Sequence, residues 1–366
     1  SVDEGRLSNI VMELFQKDCQ EKVDFGWMSK REYELATYFQ IKDERLSHIP
    51  WEGASNSREP LTPSLLDTAH AILMSSLWSD NGDVSRVIGV GPEDVRKAKL
   101  VESFMNFKCG IEMDMQTPMD SNLFRMGLHG TSFLKVLRDM QNRVSLASLN
   151  VENIYLPIDA GGCQKEDTDH IFQVVPLTWN DLQQRKSIYR NVETITPGAY
   201  IYNKGQADRL TSIRDSVTGT SMLTRSRNSL YYILECYITY YEPNSMRPKE
   251  LIVWIAPSTG KILRVIENKD KRPFAEYYLY NDTDRIYKTS IPEKLKGLQE
   301  DADYADKQNV DALDVSIAPA MYASDTSQFE KGVHQRVKGG IYQVGDAKIQ
   351  WENQPPRELG FEIASR

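Results

Sequence analysis

The sequence lacks the long apolar run that a membrane-spanning helix requires. No stretch of the chain approaches the roughly 20 apolar residues that cross a bilayer. Its acidic, amphipathic beginning, SVDEGRLSNIVMELFQKDCQEK, does not resemble a signal peptide, and because it has no initiator Met we expect it to be processed or trimmed. The sequence therefore predicts no membrane partner.

Cysteine is scarce, and the few that occur stand far apart. They form no CxxC pair, which argues against a disulfide framework and against a zinc site. We expect reduced thiols in a reducing compartment. The cysteines are Cys19, Cys109, Cys163 and Cys236.

The common catalytic motifs are also missing. Lys261 follows a glycine, but no upstream glycine stands at the spacing of a GxxxxGK[ST] phosphate loop. No GxSxG nucleophile elbow, HExxH motif or EF-hand loop occurs, and the five histidines show no paired ligand spacing. Carboxylate pairs such as Asp282 and Asp284 are typical of solvated loops in so acidic a chain. The sequence predicts no enzymatic activity, no cofactor and no metal.

Basic residues are fewer than acidic ones, and the formal net charge is −8. Because proteins hold nucleic acid by neutralising phosphates with Lys and Arg, a general grip on DNA is disfavoured. An acidic surface remains compatible with DNA that passes nearby without being held. The 40% hydrophobic and 26% charged residues are typical of a globular protein, and 366 residues can form a large core.

Helical patterns are present in the first part of the chain. Apolar residues at helical spacing predict helices within residues 5–40, in the stretch after Thr62, and over residues 92–110. Thr62 is a candidate N-cap, with Pro63 at the first helical position. The second of these helices carries an apolar stripe that predicts burial on one side.

From Gly130 the pattern changes to strands. Short runs rich in β-branched and aromatic residues, including TSFLKVLRD, LYYILECYITYYE and ELIVWIAP, are bounded by turn residues. Thr178 is a candidate N-cap of a further helix that continues to about Tyr189. The polar residues 203–229 predict a mobile loop. Helices and strands together predict an α+β fold.

One more helix is predicted from Pro292 to about Ala318. Small and apolar residues recur there at alternating spacings of three and four, which is the pattern of a heptad seam. Two interpretations remain open: the seam faces solvent on a single acidic helix, or it packs closely against copies of itself, since small residues let backbones approach. The seam consists of Leu295, Leu298, Ala302, Ala305, Asn309, Ala312 and Ser316.

The stretch PWEGASNSREPLTPSLLDTAHAIL contains a WEGASN segment, residues 51–56, that helix rules do not explain. A glycine permits a tight bend, the Ser and Asn side chains can satisfy nearby backbone groups, and the Trp can anchor the segment by burial, so a structural role is favoured over a binding site. The segment resembles the N-terminal signature of portal proteins of tailed double-stranded DNA bacteriophages. The matching residues are Trp51, Gly53, Ala54, Ser55 and Asn56, followed by Pro60.

Later segments are similar to the same family in the same order. They are FRMGLHGTSFLKVLRD, NVENIYLPIDAGG, RPFAEYYLY with the predicted helix after it, and VKGGIYQVGDAKIQWENQPP. The resemblance implies an α+β portal-type subunit with a mixed wing region at 1–290, a first stem helix at 291–320 and a small β-rich clip segment at 321–366. We find no counterpart of the family's second stem helix, tunnel loop and remaining wing helix.

The resemblance also implies a function. Portal subunits form a ring, usually a dodecamer, at one capsid vertex of the virion and are assembled in the host cytoplasm. The expected partners are other copies of the chain, the large terminase, major capsid and scaffolding proteins, head-tail adaptor proteins, and double-stranded DNA that passes through the channel without sequence-specific binding. The candidate acidic channel or solvent face consists of Glu300, Asp303, Asp306 and Asp314.

Two alternatives stay open at this stage. The chain is a different structural protein of the same virion, a tail adaptor or a capsid component, or it is a metal-dependent nuclease that uses scattered carboxylates. A ring without affinity for terminase favours the first alternative. Metal-dependent DNA cleavage that is lost on substitution of one Asp favours the second.

Overall fold

The computed structural model describes residues 3–41, 54–78, 84–138, 143–197, 230–242, 248–281, 285–317, 321–323, 341–343 and 350–351. The predicted α+β class is confirmed, since helices and largely antiparallel sheets are both present. The chain divides into two compact units. Unit 1 comprises Ser1–Leu35 and Leu65–Glu293, and unit 2 comprises Ala36–Ser64 and Lys294–Arg366.

Helices are found in all the regions with helical spacing. A π-helical turn, Phe107–Glu112, continues α4. The α-helices of the described residues are α1 (Glu4–Asp24), α2 (Trp27–Tyr38), α3 (Leu61–Leu77), α4 (Asp94–Asn106), α5 (Gln116–His129), α6 (Trp179–Gln184) and α7 (Ile291–Ile317).

The strands form three sheets within the described ranges. Their orders are β2-β1-β8 and β3-β4-β5-β6-β7 in unit 1, both antiparallel, and β10-β9-β11 in unit 2, where β9 and β10 are parallel. The strands are β1 (Thr131–Arg138), β2 (Val144–Leu149), β3 (Ile154–Tyr155), β4 (His170–Leu177), β5 (Tyr231–Tyr240), β6 (Lys249–Ala256), β7 (Lys261–Glu267), β8 (Phe274–Tyr278), β9 (Met321–Ala323), β10 (Ile341–Gln343) and β11 (Gln350–Trp351).

The five-stranded sheet is covered on both faces, which explains why β5 is an almost continuous apolar run. The helix α1 packs its buried stripe, which includes Leu7, Val11 and Phe15, against one face. The other face packs against Trp27, Phe133 and further residues of a second apolar cluster. The core of unit 1 therefore lies on both sides of this sheet.

The boundaries of several elements differ from the sequence predictions. Thr178 is the predicted N-cap and forms a capping box with Asp181, but the helix ends at Gln184 and gives way to a 3-10 turn rather than reaching Tyr189. The helical stretch within residues 5–40 is interrupted at Gly26, whose φ of 69° lies in the left-handed region. The predicted mobile loop at 203–229 lies outside the described residues.

A lysine is buried in the apolar core of unit 1. Lys22 on α1 is 3% exposed, and its ammonium donates to the carbonyl oxygens of Val151 and Ile154. Its Nζ lies 4.3 Å from the ring centroid of Trp27 and 4.0 Å from that of Tyr155. Burial lowers the pKa of Lys22 to about 7, because the charged form loses its hydration.

We expect Lys22→Met to abolish part of the pH dependence of stability. Between pH 7 and the ordinary lysine pKa of 10.5, the unfolded chain binds a proton at this side chain that the folded chain does not, so the free energy of unfolding rises with pH. The rise amounts to about 1 kcal/mol per pH unit from this group alone. Urea denaturation at pH 7, 8 and 9 measures the slope for wild type and variant.

The matched control is Lys17→Met on the same helix, where the side chain is 67% exposed and no change of slope is expected. The comparison stops at pH 9 because burial raises the pKa of the Cys19 thiol from 9.0 to about 12, which opposes the lysine contribution at higher pH. Equal slopes for wild type and Lys22→Met would show that the buried amine keeps its charge throughout this range.

Candidate assembly surface

One side of α7 in unit 2 is covered by residues 54–62. Gln299 is 3% exposed there and makes four hydrogen bonds. Its Oε1 accepts from the backbone N–H and the hydroxyl of Thr62, at 3.0 and 2.8 Å. Its Nε2 donates to the carbonyl oxygen of Glu59 and to Oδ1 of Asp303, both at 2.7 Å. Both donors and both acceptor positions of the amide are used, so the start of α3 is fixed on α7.

Thr62 does not have the predicted role of N-cap. The helix α3 begins at Leu61, so Thr62 lies in its first turn, where a backbone N–H has no intrahelical acceptor. Gln299, 237 residues away, supplies that acceptor. The prediction is wrong because it considered only neighbours in sequence. Helix rules do not mark Gln299, since a glutamine on an acidic helix usually faces solvent.

Two carboxylates of α7 hold the same covering segment. Oδ1 of Asp303 accepts the backbone N–H of Glu59 at 2.9 Å, and Oδ1 of Asp311 accepts that of Ser55 at 2.7 Å. Asp303 is half-buried and was predicted on the acidic channel or solvent face. That prediction needs correction, since this carboxylate is occupied by hydrogen bonds inside unit 2.

The WEGASN segment is described in part. Trp51 and Gly53 lie outside the described residues, whereas Ala54 is buried, and Ser55 and Asn56 are half-buried. Oγ of Ser55 accepts the backbone N–H two residues further on, at 3.3 Å, which is the local turn that the side chain was predicted to support. Within residues 54–56, Ser55 therefore contacts α7 through Asp311.

The predicted seam along α7 is unevenly exposed. Leu298 is 62% exposed and Ala312 is exposed, while Leu295 and Ala302 are half-buried. Ala305 is only 8% exposed in the single chain. The prediction that Ala305 faces a neighbouring subunit needs correction, since its methyl group is buried before any second copy arrives.

Two exposed residues of the seam, Leu298 and Ala312, lie away from the covered side of α7. Leu298, Ala305 and Ala312 recur every seven residues and form one line along the helix. Gln299 and Asp303 are four residues apart and share another side. Successive residues of an α-helix project about 100° apart, so Leu298 and Ala312 project away from Gln299, whereas Ala305 on the same line is buried.

The acidic residues are less exposed than predicted. Of the four candidates, Glu300 is exposed, and Asp303, Asp306 and Asp314 are half-buried. The open acidic face of α7 is therefore narrower than the sequence pattern indicates. Large apolar side chains are exposed as well, with Tyr304 at 65%.

Buried ionisable groups of unit 1 pair with one another. Glu34 contacts Nη1 of Arg31 at 2.7 Å and Nδ1 of His129 at 3.0 Å, and Asp18 contacts Nε2 of His170 at 3.1 Å. Burial and the adjacent Arg31 lower the pKa of His129, which keeps the ring neutral near pH 7. These two histidines pair with buried carboxylates in the core of unit 1.

Within the described ranges, no three His, Cys, Asp or Glu side chains are grouped so as to hold a metal ion. The helices of the same residues include none that is long and apolar enough to cross a membrane. No family model matches the chain, and no curated protein matches it.

Proposed function

We propose that this chain is a phage portal subunit. Its copies form a ring, with twelve members as in the family it resembles, at one capsid vertex. The ring is the channel for DNA packaging and ejection, and the docking site for the large terminase, capsid and scaffolding proteins, and head-tail adaptors. The proposed protein is a conduit without enzymatic activity, located in the virion after assembly in the host cytoplasm.

The observation that carries this proposal is the construction of α7. The helix has 27 residues, of which one side is packed by the portal-like segment 54–62 and another presents Leu298 and Ala312 to the exterior. A helix of 27 residues is about 40 Å long, which suits a stem that lines a channel. The exposed part of the seam, on a helix braced by residues 54–62, supports close packing of neighbouring copies.

The charge of the chain supports passage of DNA rather than binding. Glu300 is exposed on α7, and the whole chain carries a net charge of −8. Carboxylates repel phosphates, so DNA close to such a surface is not held in place. The exposed carboxylates, and not the hydrogen-bonded Asp303, provide this repulsion.

The proposal is tested by electron microscopy and mass photometry of the purified full chain. We expect closed rings with a central hole wide enough for a DNA duplex. Monomers or dimers at every salt concentration would contradict it. A ring that assembles but does not bind large terminase would favour a tail adaptor or another virion component instead.

Leucine substitutions at two seam positions should separate folding from assembly. Ala312 is exposed in the single chain, so Ala312→Leu should leave the protomer as stable as wild type and reduce the yield of rings, because overpacking is repeated at every interface. Ala305→Leu should destabilise the protomer itself by about 1 to 3 kcal/mol, since Ala305 is already buried. Gel filtration measures ring yield, and urea denaturation measures stability.

The control for these two variants is Glu300→Leu, at an exposed position on another side of α7. It adds the same side chain away from the seam and should assemble normally. If Ala312→Leu forms rings as efficiently as this control, the seam faces solvent.

A further inference from the structure

The largest concentration of exposed apolar side chains among the described residues lies on α4 and the π-helical turn after it. Ala98 is the buried residue of α4. Large apolar side chains along the same stretch are 40–75% exposed. We call this set the α4 surface; it consists of Leu100 (75%), Val101 (46%), Phe104 (57%), Met105 (40%), Phe107 (52%) and Ile111 (75%).

Another side of α4 is occupied by the chain itself. Oδ1 of Asn106 accepts the backbone N–H groups of Val84 and Ser85, at 3.2 and 2.9 Å. A carboxylate oxygen of Glu102 accepts the N–H of Val87 at 2.8 Å. Residues 84–87 therefore run along the side of Glu102 and Asn106, and they leave the α4 surface uncovered.

Leu100, Phe104 and Phe107 follow the spacing i, i+4, i+7, so they lie on one side of the helix. This is the spacing with which a helix contacts a partner along its length. Isolated exposed apolar residues need no explanation, but a contiguous group of this size indicates an interaction site.

We infer that the α4 surface is a contact between neighbouring copies of this chain; the inference rests on the proposed ring. The available area fits this partner. Six side chains of this type, exposed to this degree, offer on the order of 500 Å² of apolar surface. A stable interface takes about 800 Å² from each partner, of which somewhat more than half is apolar, so the α4 surface is large enough to supply that share.

The basic residues beside the α4 surface also favour a second copy of the chain as the partner. Arg96, Lys97 and Lys99 are exposed beside the apolar residues, and no ion pair joins them to a carboxylate of the described residues. The chain as a whole carries a net charge of −8. A basic rim on an acidic protein is complementary to the acidic surface of a second copy, which orients the two in a head-to-tail contact of the kind that closes a ring.

An anionic membrane is the other surface that apolar and basic residues together could bind. The observations favour a second copy, because the net charge of −8 repels an anionic bilayer and because Glu93 and Asp94 are exposed at the start of the same helix. Binding to lipid is therefore an outcome that would overturn the inference.

The test uses the full chain and the double variant Leu100→Glu with Phe104→Glu. Both side chains are more than half exposed, so the fold should be retained, as circular dichroism and thermal melting can verify. Association measured by mass photometry should weaken on the order of a hundredfold, because the charges replace buried apolar contacts at every interface. The matched control is Val95→Glu, at an apolar position of α4 that is 54% exposed and five residues before Leu100, off the line of Leu100, Phe104 and Phe107.

The outcomes separate this inference from the proposed function. If wild type forms rings and the double variant does so equally well, the α4 surface is not the contact, and the portal proposal stands. If wild type forms no oligomer, the proposed function fails together with the inference. If wild type binds vesicles of anionic phospholipid and the double variant does not, the surface is a membrane site and the inference is wrong.

Discussion

Gln299→Leu is expected to release residues 54–62 from α7 and to destabilise unit 2 by about 3 to 5 kcal/mol. The substitution removes four hydrogen bonds in one step. The backbone N–H and the hydroxyl of Thr62, which is fully buried, lose their acceptor. The carbonyl oxygen of Glu59 loses a donor. A buried polar group that loses its partner costs about 1 to 3 kcal/mol, and leucine offers no replacement.

Hydrogen–deuterium exchange measures this effect locally. The amides of Leu61, Thr62 and Ser64 should exchange at least on the order of a hundredfold faster in Gln299→Leu, as expected for a loss of about 3 kcal/mol. The control is Gln308→Leu on the same helix, where the glutamine is exposed and donates to the hydroxyl of Tyr304. Unchanged protection of Thr62 in Gln299→Leu would show that the segment is held by other contacts.

Gln299→Glu gives a second, pH-dependent measurement. The new carboxylate can still accept from Thr62, but the oxygen that replaces Nε2 would lie near 2.7 Å from Oδ1 of Asp303. Two carboxylates so close repel one another at pH 7 and can share a proton in acid. Protection of the amides of Leu61, Thr62 and Ser64 should therefore be poor at pH 7 and partly restored at about pH 4, whereas Gln299→Leu should show no recovery.

Gly130→Ala should destabilise unit 1 by about 3 to 5 kcal/mol. Gly130 ends α5 with a φ of 75°, in the left-handed region that alanine adopts at a cost. A Cβ there would lie 2.2 Å from the carbonyl oxygen of Lys288 and 2.8 Å from the carbonyl carbon of Thr289. These are backbone atoms, so the clash cannot be relieved by rotating a side chain.

The neighbouring contacts prevent the backbone from moving away. The hydroxyl of Thr131 donates to the carbonyl oxygen of Ile286 at 2.7 Å and accepts the N–H of Lys288 at 3.0 Å. The corner between α5 and β1 is thereby tied to residues 286–288. Gly161→Ala is the control, since nothing lies within 4 Å of a Cβ at that exposed position. Equal urea midpoints for the two variants would mean that the corner relaxes easily.

Each of these predictions concerns a residue that fixes local structure within one unit. Gln299 braces α7 from within unit 2. Gly130 lies against the backbone of Lys288 and Thr289 within unit 1. A variant at either position should impair ring assembly indirectly, through loss of local structure. The exposed positions Ala312 and Phe104 should instead impair assembly with the fold retained, and this difference separates supporting residues from contact residues.

The sequence by itself determined the class of fold and the position of most elements. Periods of two and of three to four residues are local properties, so the strands β4 to β7 and the helix α7 could be predicted from their own residues. The capping box of Thr178 and Asp181 is likewise contained within four consecutive residues. The resemblance to portal proteins was also a property of short segments and of their order.

Only the tertiary structure decided which residues of α7 are free. The pattern treated Ala305 and Ala312 alike, but one is buried by the chain and the other is exposed. It placed Asp303 on an acidic channel or solvent face, although that carboxylate accepts the N–H of Glu59 from 244 residues away. A periodic pattern shows which residues share a side of a helix. Which side is buried depends on the distant segment that packs against it. The partner of Thr62 could not be predicted for the same reason, since hydrogen bonds between segments far apart in sequence leave no local signal.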